Sequence, residues 1–451
     1  MKAVSSDIFG LRSAYLKDYG LSSTNLAKMV RQYGFRRFCT VGITSYLTFR
    51  YPVLDYTMFQ DYSRVPFGHT FRASVIRKHW LPNFTESSGM TYSTALKTID
   101  ELLRKIIRRH ANAHQVAVPL SGGVDSSIIT AILRDLFPTK EIRTYTAGFR
   151  ENNEFRFARE VAEHCNTFHQ EALLDHEHFL RPDGLLQQLI LHKGEPLHPN
   201  EIPLAFIEQQ AKRDGCTMAM CGEGADDLFG GYSHLLSMHH NYPQVSDQYL
   251  FIEYLLQNYR YFSLEDRERY IKREYYITDD MFIKDPLFVN DLPKAPRDQA
   301  FYFIQRLHTP GLITRGANAM RFNGLVPSFP FIDQLLVDFV NSLPFEWKLK
   351  LRDEATEELG LSTPYRDFAD QYIIPKYILK NLAEKYLPED IVYRNKVGFP
   401  VPFDDWLKPL NSWDFNSEIF INNDLRPLNG WKKFMLINLD SFIKTFRKYQ
   451  K

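Results

Sequence analysis

Val116-Ala117-Val118-Pro119-Leu120-Ser121-Gly122-Gly123-Val124-Asp125-Ser126-Ser127 is the stretch on which the fold turns. Its first five residues are a short apolar run of the kind that forms a buried strand. The residues after it place Ile128, Ile129, Ile132, Leu133 and Leu136 at helical spacing. Between strand and helix, two glycines let the backbone turn tightly and aim its N–H groups at an anion. Ser121, Ser126 and Ser127 add hydroxyl donors, and the helix N-terminus adds partial positive charge. Asp125 would repel a bare phosphate, so its expected use is to hold a divalent cation. No GxxxxGK[ST] pattern is present, so the loop is not of the Walker type.

Working outward, the same alternation repeats. IRTYTAGF (142–149) reads as a second strand and FRFAREVAEH as the helix after it. A helix over Pro203–Arg213 leads to the strand TMAMC (217–221) and then to GEGADDLFGGY. Strand–helix alternation predicts an α/β fold with a parallel sheet flanked by helices, whose ligands bind at the carboxyl ends of the strands. Both glycine-rich segments fall there. Upstream, Leu96, Ile99, Leu102, Leu103, Ile106 and Ile107 recur at helical spacing opposite Lys105, Arg108 and Arg109. Downstream, Tyr254 to Arg394 reads as mainly helical, and a last helix is predicted over Lys432–Arg447. The expected organisation is a truncated N-terminal appendage and linker-like segment (1–93), the nucleotide-binding unit with its helical part (94–410) and a C-terminal helical extension (411–451). Within the appendage, YLTFRYPVLDYTMFQ and VPFGHTFR read as short strands or loops around turns.

A chain of 451 residues is too long for one ordinary core. Its 44% hydrophobic and 24% charged content is globular, and a net charge of +1 gives no field that would recruit nucleic acid or an anionic membrane. Cys39, Cys165, Cys216 and Cys221 are scattered without a CxxC pair, which suits a reducing compartment and argues against structural zinc. No signal-peptide pattern or membrane-length apolar run occurs, and a cytoplasmic location is expected.

SGGVDSS resembles the pyrophosphate-binding loop (PP-loop) of the N-type ATP pyrophosphatases. A second match narrows this. Cys221-Gly222-Glu223-Gly224-Ala225-Asp226-Asp227-Leu228-Phe229-Gly230-Gly231-Tyr232 is similar to the signature of asparagine synthetases, and Tyr393-Arg394-Asn395-Lys396-Val397-Gly398-Phe399-Pro400-Val401-Pro402 resembles that family's late loop. Phe329-Pro330-Phe331-Ile332-Asp333 is similar to its VPFLD segment, and YLTFRYP and VPFGH resemble the linker before its synthetase domain. The resemblance implies an adenine nucleotide alpha-hydrolase-like fold. It implies ATP contacts at Leu120, Ser121, Gly122, Gly123, Asp125, Ser126, Ser127, Ala147, Gly148, Cys221 and Gly222, and Mg2+ on Asp125 and Asp226. Glu223 would be the acid or base on the acceptor side, and Lys396 would stabilise charge on the adenylate. Asp227 reads as a helix-starting acid, Cys221 as a small buried residue, and His169 as a hydrogen-bonded core residue.

Two departures stand out. Relatives that use glutamine begin with a nucleophilic cysteine, whereas Lys2 stands at the second position here and about forty residues precede the linker-like stretch. The N-terminal glutaminase domain is therefore expected to be absent, with nitrogen coming from ammonia, a separate glutaminase or an amine on the substrate. Cys39, inside the chain, has no free amine beside it to act as base. In the acceptor region relatives carry DRMSMANGLEVRVPFLD, while this chain reads ANAMRFNGLVPSFPFID; Val326 and Ser328 replace a charged pair and Ala317 an aspartate. Lost polar contacts alter which carboxylate fits, so aspartate is not the assumed substrate.

The expectation is an AMP-forming amide synthetase that adenylates a small-molecule carboxylate. Intermolecular amidation is favoured over intramolecular lactam or peptide closure because Glu223 keeps the asparagine-forming pattern. A tRNA-modifying ATP pyrophosphatase would want a basic RNA-binding surface and often paired cysteines. A silent nucleotide-binding relative would not be expected to keep Asp125, Glu223, Asp226 and Lys396 together. The carboxylate, the amine donor and the oligomeric state stay open.

Overall fold

A computed structural model of the chain describes every residue except 1, 2, 19, 182, 243–247, 354, 355, 395–400 and 416. The elements that build the site are, in chain order, α1 (Thr40–Phe49), α2 (Tyr92–Ala111), β1 (Val116–Pro119), α3 (Val124–Leu136), β2 (Ile142–Phe149), α4 (Phe155–His164), β3 (Phe168–Leu174) and α5 (Glu201–Arg213). They continue with β4 (Met218–Met220), α6 (Ala225–Phe229), α7 (Thr309–Phe322), β5 (Val326–Ser328), α8 (Tyr377–Ala383) and α9 (Gly430–Arg447).

The five strands form one parallel sheet in the order β5-β4-β1-β2-β3. β1 pairs Val116 with Met218 of β4 on one side and with Ile142 of β2 on the other. Chain order runs outward from β1 to β3 in one direction and from β4 to β5 in the other, so the topological switch lies between β1 and β4. The crevice beyond the carboxyl ends of such a pair is where open α/β sheets bind ligands. Flanking helices cover the sheet: α5 packs on β1 and β2 and carries α7 with it, while α4 packs on β2 and β3 and α3 on β1. Val116, Ala117, Val118 and the whole of β4 are buried, which explains why both strands read as continuous apolar runs.

The first 93 residues contribute two small antiparallel sheets, one from Val4–Ser5, His69–Arg72 and Val75–Lys78, the other from Tyr15–Lys17, Leu21–Ser23 and Tyr62–Arg64. VPFGHTFR thus contains a strand, as its turn residues predict. YLTFRYP does not: Tyr46–Phe49 is the last turn of α1. Every residue from Gly42 to Phe49 is buried, so the helix has no polar face to set a period. Thr44 and Thr48 return their hydroxyls to the carbonyls four residues back, at 3.0 and 2.8 Å, which satisfies them inside the helix. Leu26, Tyr46 and Phe59 from the first segment, the sheet, and Phe434, Phe442 and Phe446 from α9 all belong to one hydrophobic cluster. No helix among the described residues is long and apolar enough to cross a membrane.

Candidate active site

A cavity of about 800 Å3 opens over the carboxyl ends of β1 and β4. The loop leaving β1 owes its shape to Gly122, whose φ of +70° is left-handed and whose added Cβ would meet the carbonyl carbon of Phe157 at 2.5 Å. The loop leaving β4 lies directly against it: a Cβ on Gly222 would stand 2.9 Å from the Asp125 carbonyl carbon and the Ser126 nitrogen. Two glycine positions therefore bring the two sequence motifs into contact. Ser121 Oγ accepts from Gly123 N at 3.2 Å, and Ser126 Oγ donates to the Gly123 carbonyl at 3.3 Å, which holds the turn without closing it.

Leu120, Ser121, Asp125, Ser126, Ala147, Cys221, Gly222, Glu223 and Asp226 all line the cavity. Gly122 and Gly123 do not line it; they form the turn between Ser121 and Asp125. Ser127 is completely buried, its hydroxyl enclosed without a partner, and Gly148 is packed against Asn153 and Phe155; neither lines the cavity. Lys396 lies outside the described residues. Its neighbour Arg394 is placed: Nε donates to the Gly122 carbonyl at 2.7 Å and Nη2 to the Ser121 carbonyl at 3.1 Å. The late loop is thus tied to the first motif.

Asp125 and Asp226 converge on one cation. The Nζ of Lys376 is 2.7 Å from both oxygens of Asp125 and 2.5 Å from Asp226 Oδ1. Lys376 is only 4% exposed and sits at φ 56°, immediately before α8, which packs against α2, α3 and α6. Nothing near it in sequence marks this lysine, and the sequence reading did not single it out. Lys380, one helical turn on, is held down to about 8 by burial first and then by the ammonium of Lys376.

On the acceptor side, Glu223 Oε1 accepts from Arg315 Nη2, while Oε2 is enclosed without a partner. Arg315 also reaches the ring of His198, with Nη1 at 3.0 Å from Nδ1. Burial, followed by the charges of Arg50 and Arg315, keeps His198 far below the ordinary histidine range, so it is neutral. Asp227 is more than a helix-starting acid. It is buried, lines the cavity and accepts from Thr309 Oγ1 at 2.6 Å. Burial pushes its carboxyl up to about 7, against the Thr309 hydrogen bond, which lowers it. Cys221 is buried and its thiol is pushed up by desolvation, in keeping with a packing role. His169 Nδ1 lies 3.0 Å from Thr144 Oγ1, so it is hydrogen-bonded as expected, but it stands half-buried on the edge strand β3 rather than in the core.

A family model described as asparagine synthase matches residues 98–438. The chain is 28% identical over 327 residues to asparagine synthetase (glutamine-hydrolyzing) 1 of Bacillus subtilis (strain 168), a match covering 65% of this chain and 48% of that protein. It is 24% identical over 355 residues to asparagine synthetase (glutamine-hydrolyzing) 2 of Oryza sativa subsp. japonica, covering 74% and 47% respectively. The chain spans about half the length of these curated relatives.

Proposed function

The chain belongs to the asparagine synthase family, and on that premise we propose that it is an ATP-dependent, AMP-forming amide synthetase. It would activate a carboxylate as an acyl-adenylate and pass the acyl group to ammonia or an amine. The observation that carries this reading is the convergence of Asp125 and Asp226 on one point beside the serine–glycine loop, at the switch point of the sheet.

Asp125 and Asp226 are the residues that would hold magnesium. Two carboxylates suit a hard cation that takes its other oxygens from substrate phosphates and water. Bound there, the ion would neutralise charge on the departing pyrophosphate.

The chain's own groups account for the rest. The N–H groups of Ser121 and Gly123 and the Ser126 hydroxyl, which bond to one another within the turn here, would exchange those bonds for phosphate oxygens at the start of α3. Lys376 is placed to turn its ammonium from the carboxylates to the phosphates as they arrive. A substrate carboxylate oxygen attacks the α-phosphorus, the bond to the β-phosphate's bridging oxygen breaks, and pyrophosphate leaves. The amine nitrogen then attacks the acyl carbon. Glu223, held by Arg315, orients the amine and takes its proton, and AMP departs. Lys396 would stabilise the tetrahedral intermediate.

Exchange of labelled pyrophosphate into ATP, screened over candidate acids, tests the reading, with AMP rather than ADP as the nucleotide product once ammonium is added. Asp125→Ala is expected to abolish exchange; wild-type exchange in that variant, or ADP as product, overturns the proposal. Lys396→Ala should cut turnover far more than ATP affinity, and an unchanged rate would remove that lysine from the mechanism. Turnover with ammonium alone would assign ammonia as donor, whereas dependence on a second protein would assign a glutaminase partner.

A further inference from the structure

The cavity has a wall that the mechanism above does not use, made by Arg50 at the end of α1 and by the segment Asn258–Tyr261. Arg50 is 9% exposed, and its Nε is enclosed with no hydrogen-bond partner. Its side chain makes no ion pair or hydrogen bond with the described residues; its cover is the ring of Tyr261, 4.2 Å from the guanidinium carbon. An enclosed Nε is common to Arg64, Arg267, Arg306 and Arg315, but each of these has partners at its other nitrogens, for Arg306 the Phe67 and Leu287 carbonyls. Arg64 faces Glu195 at 2.7 Å, Arg267 faces Asp279 at 2.8 Å, Arg394 faces Glu154 at 2.5 Å, and Arg315 faces Glu223.

An unpaired buried cation is costly, and it persists where something outside the fold neutralises it. The backbone at Arg50 adds to that cost: its φ of 69° is left-handed, where glycine would sit without strain. The surroundings do not compensate. His198 and His308 line the same cavity and are both neutral, His308 pushed down to about 3 by burial and then by the charges of Arg50 and Arg315. One end of the chamber therefore presents a fixed positive charge and ring faces, with no acid assigned to it.

We propose that Arg50 is the anchor for a second carboxylate of the substrate, separate from the carboxyl that is activated. The inference deepens the ligase reading and rests on it only in taking this cavity as the substrate's. It makes Arg50 a specificity-determining residue supplied by the N-terminal segment.

The test uses the full chain with magnesium and a non-hydrolysable ATP analogue, so that the phosphate loop is filled. The thermal midpoint is followed against malonate, with acetate and inorganic phosphate as matched arms at constant ionic strength. Malonate is expected to raise the midpoint of the wild type, and Arg50→Met to need about tenfold more malonate for the same shift, as for loss of one charge-assisted contact. Arg50→Lys should retain part of the response. Without anion, Arg50→Met should unfold no earlier than the wild type, because a lone buried charge has been removed. Equal malonate responses in wild type and Arg50→Met, no malonate response in the wild type, protection by phosphate alone, or an Arg50→Met chain that fails to fold would each overturn the proposal. Pyrophosphate exchange is a separate readout: exchange without an Arg50-dependent malonate effect removes only this subsite, and the reverse removes only the adenylation.

Discussion

Asp227 sits in the first turn of α6 with Oδ1 bound to Thr309 and Oδ2 enclosed without a partner. Burial raises its carboxyl from 3.8 to about 7, with Asp226 and Glu223 adding to the shift. A folded-state value above the unfolded one means that the native state holds the proton more tightly. This contribution to stability is complete below about pH 4, is lost as pH rises towards 7, and is flat above that. Asp227→Asn keeps an acceptor for Thr309 and removes the titration. Its stability relative to wild type should therefore climb between pH 4 and 7, by an amount on the order of 4 kcal/mol, and then level off. Urea unfolding at a series of pH values measures this, and a pH-independent difference would show that Asp227 is not the titrating group. At this scale the sequence was legible only in part. Asp125, Glu223 and Asp226 could be picked out because glycines and strand ends frame them. Lys376 could not, since its meaning depends on a partner 251 positions away, and Arg315 gains its role only by meeting Glu223 across the fold.

Elements with a local period were readable, and those whose burial is uniform or whose strands are short were not. β2 and α4 fall where the alternation of apolar runs and amphipathic turns places them, and the helix read over Pro203–Arg213 starts two residues earlier, at Glu201. β3 was missed because it is an edge strand with Phe168 and Leu173 exposed, and β5 because it spans three residues around Pro327. The last turn of α1, Tyr46–Phe49, reads as strand or loop because threonine and aromatic residues favour strands when no face is polar. The link between elements that matters most for catalysis runs through Arg394. It joins the end of the segment before 395–400 to the Ser121 and Gly122 carbonyls, and pairs with Glu154, the residue that starts α4. Arg394→Met removes the 2.5 Å ion pair to the buried Glu154 carboxylate, and stability should fall by about 1.5–3 kcal/mol, the range for a hydrogen bond to a charged group. It should also lower the exchange rate with Lys396 intact, because the late loop loses its tie to the phosphate loop. Arg394→Lys, which keeps a cation for Glu154 but cannot reach both loop carbonyls as well, should recover most of the stability but not the rate. Recovery of both would make the pair purely structural.

Across the whole molecule, the N-terminal segment, the loop before α5 and the C-terminal helix meet at one buried amide. Asn438 on α9 is fully buried; its Oδ1 accepts from Leu197 N at 3.2 Å, and its Nδ2 donates to the Leu197 carbonyl at 2.7 Å and to Tyr46 Oη at 2.8 Å. Tyr46 on α1 in turn donates to the Met435 carbonyl at 3.1 Å. Each bond joins parts far apart in sequence, so none of this was readable from the chain, although the helix carrying Asn438 was. Asn438→Leu would leave the Leu197 amide and carbonyl without partners in a dry core. Each orphaned group costs about 1–3 kcal/mol, so a loss of several kcal/mol is expected in urea unfolding, seen as a lower midpoint with an unchanged slope. The effect should also reach the site selectively. Leu197 immediately precedes His198, which Arg315 contacts, and Tyr46 lies one helical turn before Arg50. Neither belongs to the serine–glycine loop. The variant should accordingly raise the KM for the carboxylate several-fold while leaving the KM for ATP near the wild-type value. A parallel rise in both constants would mean that the amide supports the fold as a whole rather than the acceptor wall of the cavity.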